Sequence, residues 1–275
     1  MIDNYNRATK RTKWPTVLGS NILYLIVLTL MLGSSMLFGS QDVEGLNPNE
    51  FYFRTFILQL AIIGLPPLLY LLYKGADVSS VVRLNRIKAK EAFLVVGMAI
   101  FGYGVVIFVN YIWMWLISHI GSPIPQPTPP IETGGQYIAA LVCVGVMPAL
   151  VEEFLFRGVI LRGYETMGRR VGVIMSGLLF ALLHMSLSSL PAIIFLGIMI
   201  SYIVQRSDSI LTGMIYHFTN NTIAVTLVYA SNTLLANMND IEAAVPESLE
   251  DMPPEAFLAG LVGETFIMLF CLGMF

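Results

Sequence analysis

Charged residues are scarce in this chain: Asp, Glu, Lys and Arg together make up 12% of 275 residues. Soluble domains carry about 25%, so a water-exposed globule is excluded. Cysteine is scarcer still, with Cys143 and Cys271 both inside apolar runs. That excludes a disulfide framework and paired-cysteine metal spacing, and leaves two inert buried thiols. Histidine occurs three times and never as H-E-x-x-H, since His184 precedes Met185-Ser186-Leu187-Ser188 and His217 precedes Phe218-Thr219-Asn220-Asn221. A G-x-S-x-G elbow is missing. No aspartate lies inside a predicted span beyond Asp208 at the very start of the seventh, so an aspartyl dyad is excluded as well. Internal repeats and a soluble domain are also lacking.

Apolar residues are plentiful, at 56%. A spanning helix needs about 20 mostly apolar residues. On that rule the sequence predicts an all-α polytopic membrane protein with about eight transmembrane helices, at 16–39, 52–73, 92–120, 137–158, 172–187, 190–206, 208–230 and 255–275. The first run, Val17 to Phe38, is too long for a signal-peptide core and lacks an A-x-A site, so it reads as a retained anchor. The fifth and sixth spans are short and predict a tight helical hairpin with a bend at Pro191.

Basic residues test this topology. Of the 15 Lys and Arg, all but Arg54 fall on one side of the predicted membrane. They include Arg7, Lys10, Arg11 and Lys13 before the first span and Lys74 to Lys90 between the second and third. Arg157 to Arg170 follow the fourth, and Arg206 follows the sixth. The positive-inside rule makes that side cytoplasmic, with both termini inside. Opposite lie a Pro-rich stretch (121–136) and an acidic one (231–255), the latter read as a solvated face. Three regions result: 1–136 with three spans and the Pro-rich external loop, 137–230 as a polar-studded core, and 231–275 with the acidic loop and last span.

Few strongly polar residues remain at depth. The fourth span carries Glu152, Glu153 and Arg157, where each charge near the bilayer centre costs about 2.5–3.5 kcal/mol on insertion scales. Taken alone, these could be a helix end with Arg157 snorkelling to the interface. The fifth span adds His184, and the seventh adds His217, Asn220 and Asn221. A lone histidine on an apolar face is commonly a satisfied core residue. Two histidines and a glutamate pair on three spans instead imply a shared, water-containing cavity.

Phe180 and His184, like His217 and Asn221, are four residues apart and share a helix face. Together a carboxylate, two imidazoles and a carboxamide supply the groups that activate water and hold an oxyanion. Glu152 and Glu153 point about 100° apart. Glu153 precedes Arg157 in the favourable i,i+4 order, which leaves Glu152 to face His184, His217 or water. Counting residues from the span ends places these groups in the middle and cytoplasmic half, with the cavity opening to the cytoplasm.

The motifs Glu152-Glu153-x-x-x-Arg157, Phe180-x-x-x-His184 and His217-x-x-x-Asn221, in this order on successive spans, resemble the type II CAAX prenyl endopeptidase and bacteriocin-processing (Abi) family. The resemblance covers about residues 137–230, the catalytic core of this reading. It implies an eight-helix fold in which the fourth, fifth and seventh spans form a conical polar cavity. It also implies glutamate-dependent intramembrane endopeptidase activity. Glu152 and His184 would activate water, and His217 and Asn221 would hold the oxyanion. Glu153, Arg157 and Phe180 would support them, with no cofactor.

Partners on this reading are the lipid bilayer and a peptide or lipidated protein substrate in the membrane, with no nucleic acid. The expected location is the cell membrane. Zinc could bind a glutamate and two histidines, but no short-spaced ligand pair supports it and no metal is assigned. A non-enzymatic or immunity scaffold of the same fold is the alternative. A proton-linked carrier is a third reading, disfavoured because no paired half-helix repeat exists.

Overall fold

The structure is a computed structural model that describes residues 14–38, 47–121 and 131–237. The first basic cluster, Arg7 to Lys13, lies outside the described residues, as do most of the Pro-rich stretch, the acidic stretch from 238 and the last predicted span. Among the described residues the regular elements are all helices. They run as α1 (Val17–Phe38), α2 (Pro48–Lys74), α3 (Ala89–Ser118), α4 (Gly134–Met167), α5 (Arg169–Leu183), α6 (Leu190–Ser207) and α7 (Ile210–Asn237).

Among the described residues five helices are long and apolar enough to cross a membrane: α1, α2, α3, α4 and α6 with its leading turn. The outward surface is apolar, with Leu18, Met36, Phe53, Tyr73 and Phe93 all at least 70% exposed. Lipid, not water, is the solvent that suits such a surface. The chain is an integral membrane protein. Two predicted spans fall short of the spanning criterion. Helix α5 has only 15 residues, and α7 is diluted by Thr212, His217, Thr219, Asn220, Asn221 and Thr222. Both are held by protein contacts: α5 packs along α6, and α7 lies against α3, α4 and α6.

Proline and glycine shape these helices. Pro191 sits in the first turn of α6, where its missing N–H is harmless. It therefore starts a helix and bends none; the reversal is made by Met185, at φ 49°, and the turn Leu187–Ser189. Backbones of α5 and α6 touch at Gly177 and Gly197, where an added Cβ on Gly197 would lie 2.9 Å from the Gly177 carbonyl oxygen. Helices α2 and α4 widen into π-helical turns at Gln59–Gly64, Leu141–Val146 and Phe154–Ile160. The predicted acidic loop does not begin at 231, because α7 continues to Asn237.

One end of the bundle is closed by an ion network. Arg83 lies 2.8 Å from Glu165 and 2.7 Å from Asp208, and Arg162 reaches Glu165 at 2.9 Å. Gln205 Nε2 also donates to Glu165, and the Ile210 amide donates to the Arg83 carbonyl. The connection between α2 and α3 is thereby tied across the ends of α4, α6 and α7. Arg162 stacks on Trp14, which brings the start of α1 to the same end. Lys74, Arg86, Lys88, Lys90, Arg169, Arg170 and Arg206 belong to the helix ends and connection gathered here, so the structure has one basic face.

Candidate active site

A cavity of about 740 Å³ lies among α2, α3, α4, α5, α6 and α7. The three spans expected to form it are there, joined by three more. It brings together Glu152, His184, His217, Asn220 and Asn221. Phe180 lines it too, and its ring packs against His184 with centroids 4.6 Å apart. Glu153 and Arg157 do not reach it; both are fully buried behind it.

Glu152 faces His184. The Glu152 Oε2 to His184 Nε2 separation is 4.0 Å, too long for a direct hydrogen bond. Among the described residues Oε2 has no hydrogen-bond partner. His184 Nδ1 lies 2.8 Å from the Phe180 carbonyl oxygen, which can only accept. Nδ1 therefore carries a proton, and in the neutral ring Nε2 presents its lone pair to the carboxylate side. Two acceptors thus look across a short gap in a cavity wall.

Glu153 serves a different neighbourhood. Its Oε1 accepts from Arg157 Nη1 at 2.9 Å and from His217 Nδ1 at 2.9 Å. The sequence reading left His217 as a partner for Glu152; the structure gives it to Glu153. The helical turn between the two glutamates is the reason, since it aims Glu153 at the first turns of α7. Gly213 makes room there, because an added Cβ would sit 2.7 Å from Glu153 Oε2. Arg157 is further met by the Gly197 carbonyl at 2.8 Å and by the Phe180 ring at 4.7 Å. With Nδ1 donating to Glu153, His217 keeps Nε2 for the cavity.

Pro148 explains two more polar residues. Proline has no N–H to give a preceding carbonyl. In an α-helical turn Val144 loses its donor; in the π-helical turn, where Met147 already bonds back to Val142, Cys143 loses its donor. Asn221 Nδ2 donates to the Val144 carbonyl at 2.7 Å, and Gln59 Nε2 donates to that of Cys143 at 3.0 Å. A broken helix ladder in α4 thus positions side chains from α7 and α2 at the cavity wall.

Sequence reasoning missed Gln59, Tyr103, Asn110 and Tyr111, which line the cavity from α2 and α3. Gln59 and Asn110 stand as single carboxamides in otherwise apolar runs, a signal that could have found them. The cavity lining on α3, α5 and α6 comes from the half of each helix away from the basic face, as with His184 at the end of α5 and Ser189 and Ala192 at the start of α6, whereas Glu152 on α4 and His217 to Ala224 on α7 lie near mid-helix or toward the basic end. Among the described residues no group of three or more His, Cys, Asp or Glu is arranged to hold a metal ion.

All three motifs lie between Glu152 and Asn221. Residues 134–223 match the type II CAAX prenyl endopeptidase Rce1-like family. The match begins at the first residue of α4 and runs past Asn221 in α7, so this Rce1-like segment contains the whole motif set. Helices α1 to α3, including Gln59 and Asn110, lie outside it. No curated protein and no solved structure matches the chain.

Proposed function

We propose that the protein is an intramembrane endopeptidase that hydrolyses a peptide bond with water activated by Glu152 and His184. The observation that carries this reading is the unpartnered Glu152 Oε2, set 4.0 Å from His184 Nε2 across a cavity. A water about 2.8 Å from each atom fits that separation. It would donate one hydrogen to each and leave an oxygen lone pair for a carbonyl carbon.

As the C–O bond forms, a proton passes from the water to Glu152. The carbonyl oxygen becomes an oxyanion, to which Asn221 Nδ2 offers its second hydrogen. His217, held at Nδ1 by Glu153, presents its Nε2 edge to the same space. Glu152 then returns the proton to the departing nitrogen, the C–N bond breaks, and the carboxylic acid so formed gives its remaining proton to the amine, so that a carboxylate and an ammonium leave. Every atom in this sequence comes from water, substrate and side chains already in place. Glu153 acts through His217, as a positioning residue.

The substrate class on this reading is a peptide or lipidated protein held in the bilayer. The location is the cell membrane with both termini cytoplasmic, supported by the basic face. Reconstituted protein incubated with a peptide library should yield new carboxyl and amino termini by mass spectrometry. Glu152→Gln protein should yield none. Equal products from both would sink the assignment and favour the non-enzymatic scaffold.

A further inference from the structure

The cavity lies off-centre in the bundle: α3 and the α5–α6 hairpin line it from their halves away from the basic end, and α4 and α7 from mid-helix and the turns next to it. On α4 its lining runs from Glu152 through Pro148 to Val144, toward Gly134 and away from the basic end. Helix α7 contributes His217 as the residue nearest its basic end, then Asn220, Asn221 and Ala224. Helix α3 contributes from Tyr103 outward to Met114, although it begins at Ala89. The α5–α6 hairpin contributes only around its turn. His217 and Glu152 are therefore the floor.

Beneath that floor the protein is solid. Leu155, Phe156, Val159 and Ile160 of α4 and Ile210 and Tyr216 of α7 are completely buried. Below them the Arg83, Glu165 and Asp208 network closes the bundle, with Arg83 only 7% exposed. Fifteen residues of α5 rise about 22 Å from the basic end at Arg169 before His184 follows. In a hydrocarbon core of about 30 Å, His184 lies nearer the opposite surface.

We infer that the cavity opens to the face opposite the basic loops, which the positive-inside rule makes the extracytoplasmic face, and that it takes a peptide segment presented from that side. The lining puts Glu152, His184 and His217 at the bottom of a well whose wall ends at Met114, Ser189 and Ala224. Water and a scissile bond reach the glutamate down that well. A peptide on the cytoplasmic surface would have to cross a packed core and a buried ion network. The identity of the entrant rests on the peptidase reading; the side from which it comes does not.

The test uses the full chain with Cys143→Ser and Cys271→Ser. Single cysteines are placed on the wall at Ala224→Cys or Ser189→Cys, and at the exposed basic-loop position Lys88→Cys. None of the three belongs to the proposed catalytic machinery. On intact cells a membrane-impermeant maleimide should label both wall cysteines and spare Lys88→Cys. Inverted vesicles should give the opposite pattern.

Labelling of the wall positions from the same side as Lys88→Cys overturns the inference, as does failure to label either wall position from the far side. Two wall variants guard against one that fails to accumulate. Labelling needs no turnover, so far-side labelling of an inactive protein keeps the access route and removes the peptidase. A second arm carries one cleavable segment on single-span reporters, on either side of the membrane. Glu152-dependent cleavage of the extracytoplasmic reporter is expected, and cleavage confined to the cytoplasmic one overturns the proposal.

Discussion

Glu152 and Glu153 are neighbours in the chain and opposites in surroundings. Glu152 lines the cavity and has an oxygen without a partner, 4.0 Å from an imidazole. Glu153 is completely buried, and one of its oxygens is shared by a guanidinium and a second imidazole. A carboxylate beside open space can bind and move a proton; one locked to a buried cation can only orient what touches it. One peptide bond along a helix, about 100° of rotation, is enough to separate the two tasks.

The largest effect expected from breaking this contrast is on the open side. Glu152→Gln keeps the shape and removes the base, so turnover should fall by about 10²–10⁴-fold, the usual worth of a positioned general base. Accumulation and melting temperature should stay as in the parent. A matching fall in melting temperature would mean that Glu152 is structural and the contrast false.

The closed side should answer in stability. Removing one partner of a buried ion pair costs about 3–5 kcal/mol in soluble proteins, and both Arg157 and Glu153 are fully buried. Arg157→Leu should therefore reduce accumulation or lower the melting temperature sharply. Glu153→Gln should do so too, because Arg157 loses its counter-charge, and should also cut activity because the carboxylate that orients His217 becomes a neutral amide. A Glu153→Gln protein of parental stability and parental activity would remove the positioning role.

Gly213→Ala probes the same side more gently. Its Cβ would stand 2.6 Å from Val204 and 2.7 Å from Glu153 Oε2. Overpacking of this kind costs about 1–3 kcal/mol, and it should disturb His217 through the displaced carboxylate. Thermal unfolding in detergent and turnover should both report it. Gln59→Leu should cost about as much as an unsatisfied buried acceptor, roughly 1–3 kcal/mol, because the Cys143 carbonyl loses its donor.

The smallest expected effect is none. If Glu152 and His184 activate water unaided, exhaustive treatment with phenanthroline should leave turnover unchanged. Loss with chelator and recovery with zinc would make the open side a metal site.

Much of the site was legible because charge is expensive in lipid. Glu152, Glu153, Arg157, His184, His217 and Asn221 stand out against apolar runs, and their helical spacing groups them without coordinates. The Glu153–Arg157 pair follows from an i,i+4 count. The His217–Glu153 contact does not, because 64 residues separate the two and only the packing of α7 against α4 decides which glutamate the ring meets. Gln59 and Asn110 were equally visible as polar residues in apolar runs. Nothing in the sequence says that α2 and α3 reach the cavity.

By itself the sequence determined that the chain is a helical membrane protein with its basic residues gathered on one side. It also determined that a small set of polar groups must share an interior. Those conclusions follow from transfer energies and from helix periodicity, which act locally. Only the tertiary structure decided that His217 belongs to Glu153 and that Asn221 and Gln59 meet the carbonyls left without a donor before Pro148. Each of these depends on where one helix stops against another. Lengths, tilts and close contacts between distant segments set that position, and the energy differences that choose among them are too small and too many to read from spacing.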